Sequence, residues 1–140
     1  MNKNNLSVCI QSDILSAQAS IEGEEVVFKL VHLPTGQVWS NGPIIYRLQT
    51  GQNDRTVTTC QLKGAVLESI NDRLTIKGDI QGLSVSHKFY FEGGAIEESI
   101  ELLNKTENIV KIERLEIGLT CRLTDSAGKL LKGAQKYTWV

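Results

Sequence analysis

Alternation of apolar and polar residues is the feature of this sequence that most constrains its fold. Between residues 83 and 91, the odd positions carry Leu, Val, His, Phe and Phe, and the even positions carry Ser, Ser, Lys and Tyr. A helix would distribute both sets around its circumference, whereas a strand sorts them onto two faces. The segment is therefore predicted to be a β-strand with one buried face.

The same period of two recurs along most of the chain, and turn residues separate the segments. Further strands are predicted within residues 6–10, 15–21, 26–30, 44–48, 56–70, 74–80, 95–104 and 109–123. Gly64 is expected to bend or bulge the long segment in which it lies. The apolar parity changes within 109–123, which predicts a β-bulge near Glu113 and Arg114. Gly93 and Gly94 form a predicted hairpin turn.

Eight to ten short antiparallel strands must stack or close to bury their apolar faces. A chain of 140 residues is about one domain. The prediction is an all-β, antiparallel two-sheet β-sandwich with little or no helix, and a barrel is the alternative. Residues 1–124 are assigned to the sandwich. Residues 125–140 are assigned to a C-terminal loop with a last strand, or to a stub toward a missing domain.

Composition and charge exclude several function classes. The net charge is −1 and Lys and Arg are scattered, so the chain lacks the basic field that nucleic acids or anionic membrane surfaces require. The N-terminus is polar and has no apolar segment of a signal peptide. The expected location is cytoplasmic, unless an export signal has been removed. Oligomeric state is left open.

Cysteines and sequence motifs indicate neither a metal site nor a cofactor. Cys9, Cys60 and Cys121 are widely spaced and form no Cys-x-x-Cys pair, which argues against zinc and against a disulfide framework. They are predicted to be small buried hydrophobic residues, with one disulfide and a third free thiol as the alternative. Nucleotide-binding, phosphate-binding and hydrolase motifs are absent from the sequence.

Two residues on apolar strand faces are the candidates for chemistry. His87 lies on the inward face of its predicted strand, and Glu98 interrupts the apolar face of the next one. His87 could serve as a general base in a cleft, but a core histidine is the favoured interpretation. Glu97 and Glu101 lie about 13 Å apart along one strand face, which is too far for a glycosidase pair. A solvated outer face is favoured for these carboxylates.

Aromatic residues provide the candidate sugar contacts. Trp39 follows a turn and lies near Tyr46 in the sequence, and exposed aromatic rings are common anchors at binding surfaces. A sugar platform at Trp39 is one hypothesis, and a lid over one end of the sandwich is favoured over it. The residues considered for carbohydrate binding are thus Trp39, Tyr46, His87 and Glu98.

Three segments also carry a resemblance to a known family. Residues 87–106 and 110–119 read as an aromatic strand, a glycine turn, an acidic-apolar strand, an Asn-x-Thr turn and an apolar strand around Arg114-Leu115. Together with residues 35–39, this resembles the N-terminal β-supersandwich domains of bacterial glycoside hydrolases of the alpha-galactosidase type, which are related to galactose mutarotase. The mutarotase Asn-His motif does not match, because Ser86 precedes His87, so no catalytic residue is carried over.

The resemblance implies a supporting role beside a catalytic domain. Such sandwich domains are usually longer than this chain and pack on a catalytic barrel, where they can shape the substrate cleft. The first hypothesis is therefore a non-catalytic accessory domain of a glycoside hydrolase, with a large apolar or mixed docking patch. The second is a free-standing carbohydrate-binding or adhesin-like module with a groove at Trp39 or Tyr46. The third is a small mutarotase-like sugar isomerase, which requires His87 and Glu98 to line one pocket.

Overall fold

The computed structural model describes residues 6–52 and 54–121, which form eleven β-strands and no helix. It follows that this part of the chain has no helix able to cross a membrane. The strands are β1 (Ser7–Gln11), β2 (Leu15–Glu22), β3 (Glu25–His32), β4 (Gln37–Pro43), β5 (Ile45–Gln52), β6 (Arg55–Thr59), β7 (Lys63–Ile70), β8 (Arg73–Ile80), β9 (Leu83–Glu92), β10 (Ala95–Asn104) and β11 (Lys111–Gly118). The all-β, sandwich-like prediction is confirmed. The assigned tail, 125–140, lies outside the described residues.

The strands form three antiparallel sheets rather than the two that were expected. One has the order β10-β9-β8-β7, and the others have the orders β1-β2-β3-β4 and β11-β5-β6. Side chains of the other two sheets pack against the first sheet, so these two sheets share the facing layer. The facing layer consists of two sheets because β4 and β5, although consecutive in the sequence, pair with different strands. β4 pairs with β3, whereas β5 pairs with β6 and β11. An isolated bridge between Ser40 and Cys121 and a hydrogen bond from Asn41 N to Thr120 O link β4 to the residues that follow β11.

Alternating apolar side chains from both layers meet in one continuous core. Phe28 from β3 stacks on Phe89 from β9 with ring centroids 4.5 Å apart, and each residue is only 1 % exposed. Leu48, Leu74 and Ile76 are fully enclosed around the same interior. Burial of each such side chain contributes about 1.5–3 kcal/mol. The inward parity predicted for β5, β8 and β9 is therefore the parity that builds the core.

Both predicted irregularities occur, but one predicted strand is divided. The register between β7 and β8 shifts beside Gly64, whose φ of 62° suits glycine, and the register between β11 and β5 shifts between Ile112 and Arg114. The prediction of one continuous strand over 56–70 was wrong, because β6 and β7 are separate strands. Buried Leu62 lies in a connection that sends β6 and β7 into different sheets. Because both halves alternate, their periodicity conceals this break.

Gln81 in the β8–β9 turn joins the two layers through its side-chain amide. Its Nε2 donates to the carbonyl oxygens of Leu48 at 3.1 Å and Val57 at 3.2 Å, and its Oε1 accepts a hydrogen bond from the Thr50 hydroxyl. Thr50 is completely buried, so this bond satisfies a hydroxyl that would otherwise be costly to enclose. Gln81 holds a φ of 50°, which few non-glycine residues adopt. The backbone conformation of the turn therefore directs the Gln81 amide toward β5 and β6.

Replacing Gln81 by asparagine is expected to lower the free energy of unfolding by about 1–2 kcal/mol, because the shorter side chain cannot reach both carbonyls. Asparagine tolerates positive φ better than glutamine, so relief of backbone strain would act in the opposite direction. Urea unfolding followed by circular dichroism measures the change. Asp72→Asn, at another positive-φ turn position, is the control and should change stability by less than about 0.5 kcal/mol. Equal effects would show that Gln81 is an ordinary turn residue.

The three cysteines are exposed free thiols, so their predicted burial was wrong. Cys9 lies on β1 between Val8 and Ile10, and these two residues take the inward positions. Cys60 lies in the connection after β6, and Cys121 lies just after β11 at the bridge to β4. The prediction of burial rested on the small, apolar side chain of cysteine, which does not show that all three residues fall at outward or connecting positions.

Candidate functional site

The fold brings together three of the four residues considered for carbohydrate binding, which are far apart in sequence. Tyr46 points inward from β5, and His87 points inward from β9. Glu98 lies on β10 opposite Phe89, and therefore on the inner face of that sheet. Strand alternation places each side chain on its inner face, and packing of one layer on the other brings Tyr46 to His87.

The side chains of Tyr46, His87 and Glu98 form a chain of polar contacts that runs from the core to the edge strand β10. The Tyr46 hydroxyl lies 2.7 Å from His87 Nδ1, and the two rings meet edge to face. His87 Nε2 lies 3.3 Å from a Glu98 carboxylate oxygen. That separation exceeds the roughly 2.7–2.9 Å of a charge-assisted hydrogen bond, and His87 Nε2 has no partner that meets hydrogen-bond geometry. We therefore treat it as an electrostatic contact rather than as a closed hydrogen bond.

The electrostatics of this cluster favour a neutral imidazole. Burial lowers the pKa of His87, and the opposing pull of the nearby Glu98 carboxylate is the smaller effect. Burial, with a further contribution from the charge of Glu98, raises the pKa of Tyr46 well above its ordinary value, so the phenol keeps its proton. Tyr46 consequently donates to Nδ1, and the single ring proton of His87 resides on Nε2, facing Glu98.

Access to the cluster from solvent is restricted to Glu98. His87 has no exposed surface, and Tyr46 is 3 % exposed, whereas the side chain of Glu98 is 44 % exposed. A sugar at the surface can neither stack on Tyr46 nor receive a proton from His87 directly. His87 thus matches the favoured core interpretation. Its enclosure argues against the isomerase hypothesis, which required His87 and Glu98 to line one pocket.

Glu98 lies in an apolar surface that we call the β10–β11 inner face. Its members point toward the interior but are only partly buried, and they pack against the edge of the core. They are Ile96, Ile100 and Leu102 on β10 and Leu115 and Ile117 on β11. Of their counterparts on the central strands, Tyr46, Leu48, Val85 and His87 are buried, and only Phe91, opposite Ile96, is partly buried. The core is therefore less well covered at this side of the molecule than elsewhere.

Trp39 lies apart from this cluster, on β4. It is the extra residue where the register between β3 and β4 shifts. Its indole stacks on the His32 ring with centroids 5.0 Å apart and donates its N–H to the Gln37 side-chain oxygen at 3.3 Å. Trp39 is 37 % exposed and does not belong to the buried core. It is therefore an aromatic residue of the edge strand β4 with one face against His32.

Metal binding finds no support in the part of the chain that is described, where no three His, Cys, Asp or Glu side chains converge suitably. Glu97 and Glu101 alternate with Glu98 on β10 and lie on its outer face. They consequently supply no second carboxyl to the Glu98 side. Sequence alternation alone was sufficient to predict this separation.

Stability is expected to decrease as the pH falls from about 7.5 to 5.5. An unfolded histidine takes up a proton near pH 6.5, whereas burial lowers the pKa of His87 in the folded state. In the interval between these values the unfolded chain binds more protons, so the free energy of unfolding falls by up to about 1.4 kcal/mol per pH unit. Urea unfolding at several pH values measures this slope.

The control for this pH dependence separates the two histidines. His32→Asn, which changes the half-exposed histidine of β3, should retain the slope. The double variant His87→Leu with Tyr46→Phe should flatten it, because the buried titrating group and its phenol partner are both replaced. An unchanged slope in the double variant would assign the pH dependence to other groups.

Comparisons of this chain with protein-family models, with curated proteins and with solved structures found no match. Functional assignment therefore rests on the contacts, burial and charges of the chain itself.

Proposed function

We propose that this domain is a non-catalytic β-sandwich accessory domain of a carbohydrate-active enzyme, a glycoside hydrolase, which supports the catalytic domain or its substrate cleft. The observation that carries the proposal is the partly exposed β10–β11 inner face. Apolar surface left open beside a core is typical of surfaces that another domain covers. The proposal also draws on the resemblance of residues 87–106 and 110–119 to supersandwich domains.

The chemistry of this face fits a domain contact better than an active site. Ile96, Ile100 and Ile117 offer branched apolar side chains, which gain about 25 cal/mol for each Å² removed from water. Glu98 lies among them, and its exposed carboxylate can accept a hydrogen bond from a docked partner and fix its orientation. Contacts between domains of one chain characteristically combine apolar area with such polar groups.

A non-catalytic role follows from what surrounds Glu98. Glycoside hydrolysis requires two carboxyl groups about 5–9 Å apart across the bond that is broken. Glu97 and Glu101 lie on the opposite face of β10, and His87 is enclosed. Glu98 therefore lacks a partner for acid–base chemistry among these residues.

The reading frame beyond Val140 in the source gene is the first test. Several hundred further residues with alternating strand and helix patterns would support an accessory domain. A stop codon directly after Val140 would reject it and would favour the free-standing carbohydrate-binding module.

Hydrogen–deuterium exchange then tests the docking face in the full gene product. We expect the amides of β10 and β11 to be more protected there than in the isolated domain. Ile96→Asp should weaken this protection, because it places a charge in the apolar contact. Leu103→Asp is the matched control, since Leu103 lies on the outer face of the same strand and is already 56 % exposed. Equal protection in both proteins would reject docking at this face.

A further inference from the structure

A second surface lies on the opposite side of the β7–β10 sheet from the core. A groove of about 630 Å³ crosses the outward side chains of β7, β8, β9 and β10, and we call it the outer groove. Strand alternation makes its lining mostly polar, with Ile70 as the large apolar residue among the side chains that line it. Residues that line it include Glu68, Thr75, Lys77, Ser86, Lys88 and Glu101.

Thr75 forms the floor of the outer groove and distinguishes it from an ordinary solvated sheet face. It is only 8 % exposed, although it points away from the core. Within residues 6–52 and 54–121 its hydroxyl has no protein hydrogen-bond partner, and it opens into the groove. Thr75 Oγ1 is not among the enclosed polar atoms that lack a partner, so solvent entering the groove reaches it. A ligand hydroxyl placed there would replace that solvent, since a hydroxyl group both donates and accepts hydrogen bonds.

The charged side chains above Thr75 are only partly paired with one another. Lys77 forms an ion pair with Glu68 at 3.2 Å. Lys88 on β9 and Glu101 on β10 form no ion pair within the described ranges, and they lie on adjacent strands of the groove. An unpaired donor and an unpaired acceptor thus face the same space.

Arg73 at one end of the groove is held in position by an aromatic ring. Its guanidinium carbon lies 5.2 Å from the centroid of the Tyr90 ring, the cross-strand neighbour of Arg73. Stacking of this kind restricts the side chain without using its N–H donors. The groove therefore offers fixed donors beside hydroxyls and carboxylates.

The balance of these groups identifies the ligand class. Three cationic and two anionic side chains line the groove, so it provides neither the positive field that a polyanion requires nor a negative one. Its groups are instead a dense mixture of donors and acceptors. A sugar ring presents neighbouring hydroxyls, each of which both donates and accepts, and this matches Lys88, Glu101 and Thr75 together.

We propose that the outer groove binds a neutral oligosaccharide, with Lys88 donating to ligand hydroxyls, Glu101 accepting from them, and the Thr75 hydroxyl exchanging hydrogen bonds with them at the floor. The site lies on the outer face of the sheet, whereas the proposed docking surface is on its inner face. The inference therefore goes beyond the accessory role and stands or fails independently of it.

Native gel electrophoresis through soluble neutral polysaccharides tests this site with the whole chain. The probes are galactomannan, xyloglucan, β-glucan and pullulan, with dextran sulfate as a polyanion. We expect retardation by at least one neutral polysaccharide that persists in 0.3 M salt (about twice physiological ionic strength). Lys88→Ala and Glu101→Ala should each weaken binding about tenfold or more, since each removes a charged hydrogen-bond partner. Thr75→Val keeps the shape of the side chain but removes its hydroxyl, and it should weaken binding about fivefold.

Matched controls distinguish loss of the site from loss of charge. Glu97→Ala removes a carboxylate from the same outer face of β10, outside the groove lining, and Lys29→Ala removes an exposed lysine from β3. Both should bind within about twofold of the parent, and far-UV circular dichroism confirms that every variant is folded. Three outcomes would overturn the proposal: no retardation by any neutral polysaccharide, retardation by dextran sulfate alone, or equal losses in the groove variants and the controls.

Discussion

Replacing Phe89 by alanine is expected to lower the free energy of unfolding by about 3–5 kcal/mol. Phe89 is 1 % exposed and stacks on Phe28 across the two layers, and its ring also lies 4.5 Å from the His87 ring. Removal of the ring leaves a cavity at the contact between the sheets, where the rigid strands can collapse only partly. Urea unfolding at pH 7.5, followed by circular dichroism, measures the loss.

Phe91→Ala is the matched control for that substitution. Phe91 lies two residues further along the same face of β9, but it is only partly buried at the edge of the core. Its removal should cost clearly less, because solvent already reaches part of the ring and fewer contacts are lost. A loss at Phe89 below about 1.5 kcal/mol, or an equal loss at both positions, would contradict the packing described above.

Replacing His87 by alanine is expected to destabilise the domain by about 3–5 kcal/mol, from two additive causes. The missing imidazole leaves a cavity in the core. It also leaves the Tyr46 hydroxyl, which donates to His87 Nδ1 at 2.7 Å, buried without a partner, at a cost of about 1–3 kcal/mol. His32→Ala, at a half-exposed position of β3, should cost about 1 kcal/mol or less. Thermal and urea unfolding provide the comparison.

A double-mutant cycle separates the cavity from the unpaired hydroxyl. His87→Leu fills much of the space but leaves Tyr46 unpaired, and Tyr46→Phe in that background removes the hydroxyl as well. Replacement of both hydrogen-bonding partners by apolar groups is often nearly neutral, so the second change should recover about 1–2 kcal/mol. If Tyr46→Phe costs the same with and without His87, the two residues are not coupled.

Local pattern was informative wherever one residue faces the core and the next faces water. The inward positions of β5, β8 and β9 and the bulges at Gly64 and Arg114 were predictable because the period of two is broken only where the backbone is irregular. The division of 56–70 into β6 and β7 was not, because alternation continues on both sides of Leu62 while the chain changes sheets. Alternation shows which face of a strand is buried, but it does not show which strands pair with it.

The same limit of local periodicity applies to the candidate site residues. The inward parity of His87 and Glu98 was visible in the sequence, but the contact between His87 and Tyr46 arises from β5 packing over β9 and has no local signal. The outer groove was also missed, since Glu101 alone suggested a solvated face. The indication was the polar parity shared by β8, β9 and β10, and it acquires meaning only once these strands are known to be neighbours.

The sequence by itself determined that this chain forms short antiparallel strands with one apolar face each, because side-chain alternation follows from backbone geometry at every residue. Tertiary structure alone decided which strands are central and which are edges. β5 and β9 each have a neighbouring strand along both edges, so Tyr46 and His87 are enclosed, whereas β10 lies at the edge of its sheet, so Glu98 and the apolar residues around it remain accessible. Burial of a strand depends on neighbours far away in sequence, and local periodicity does not encode them.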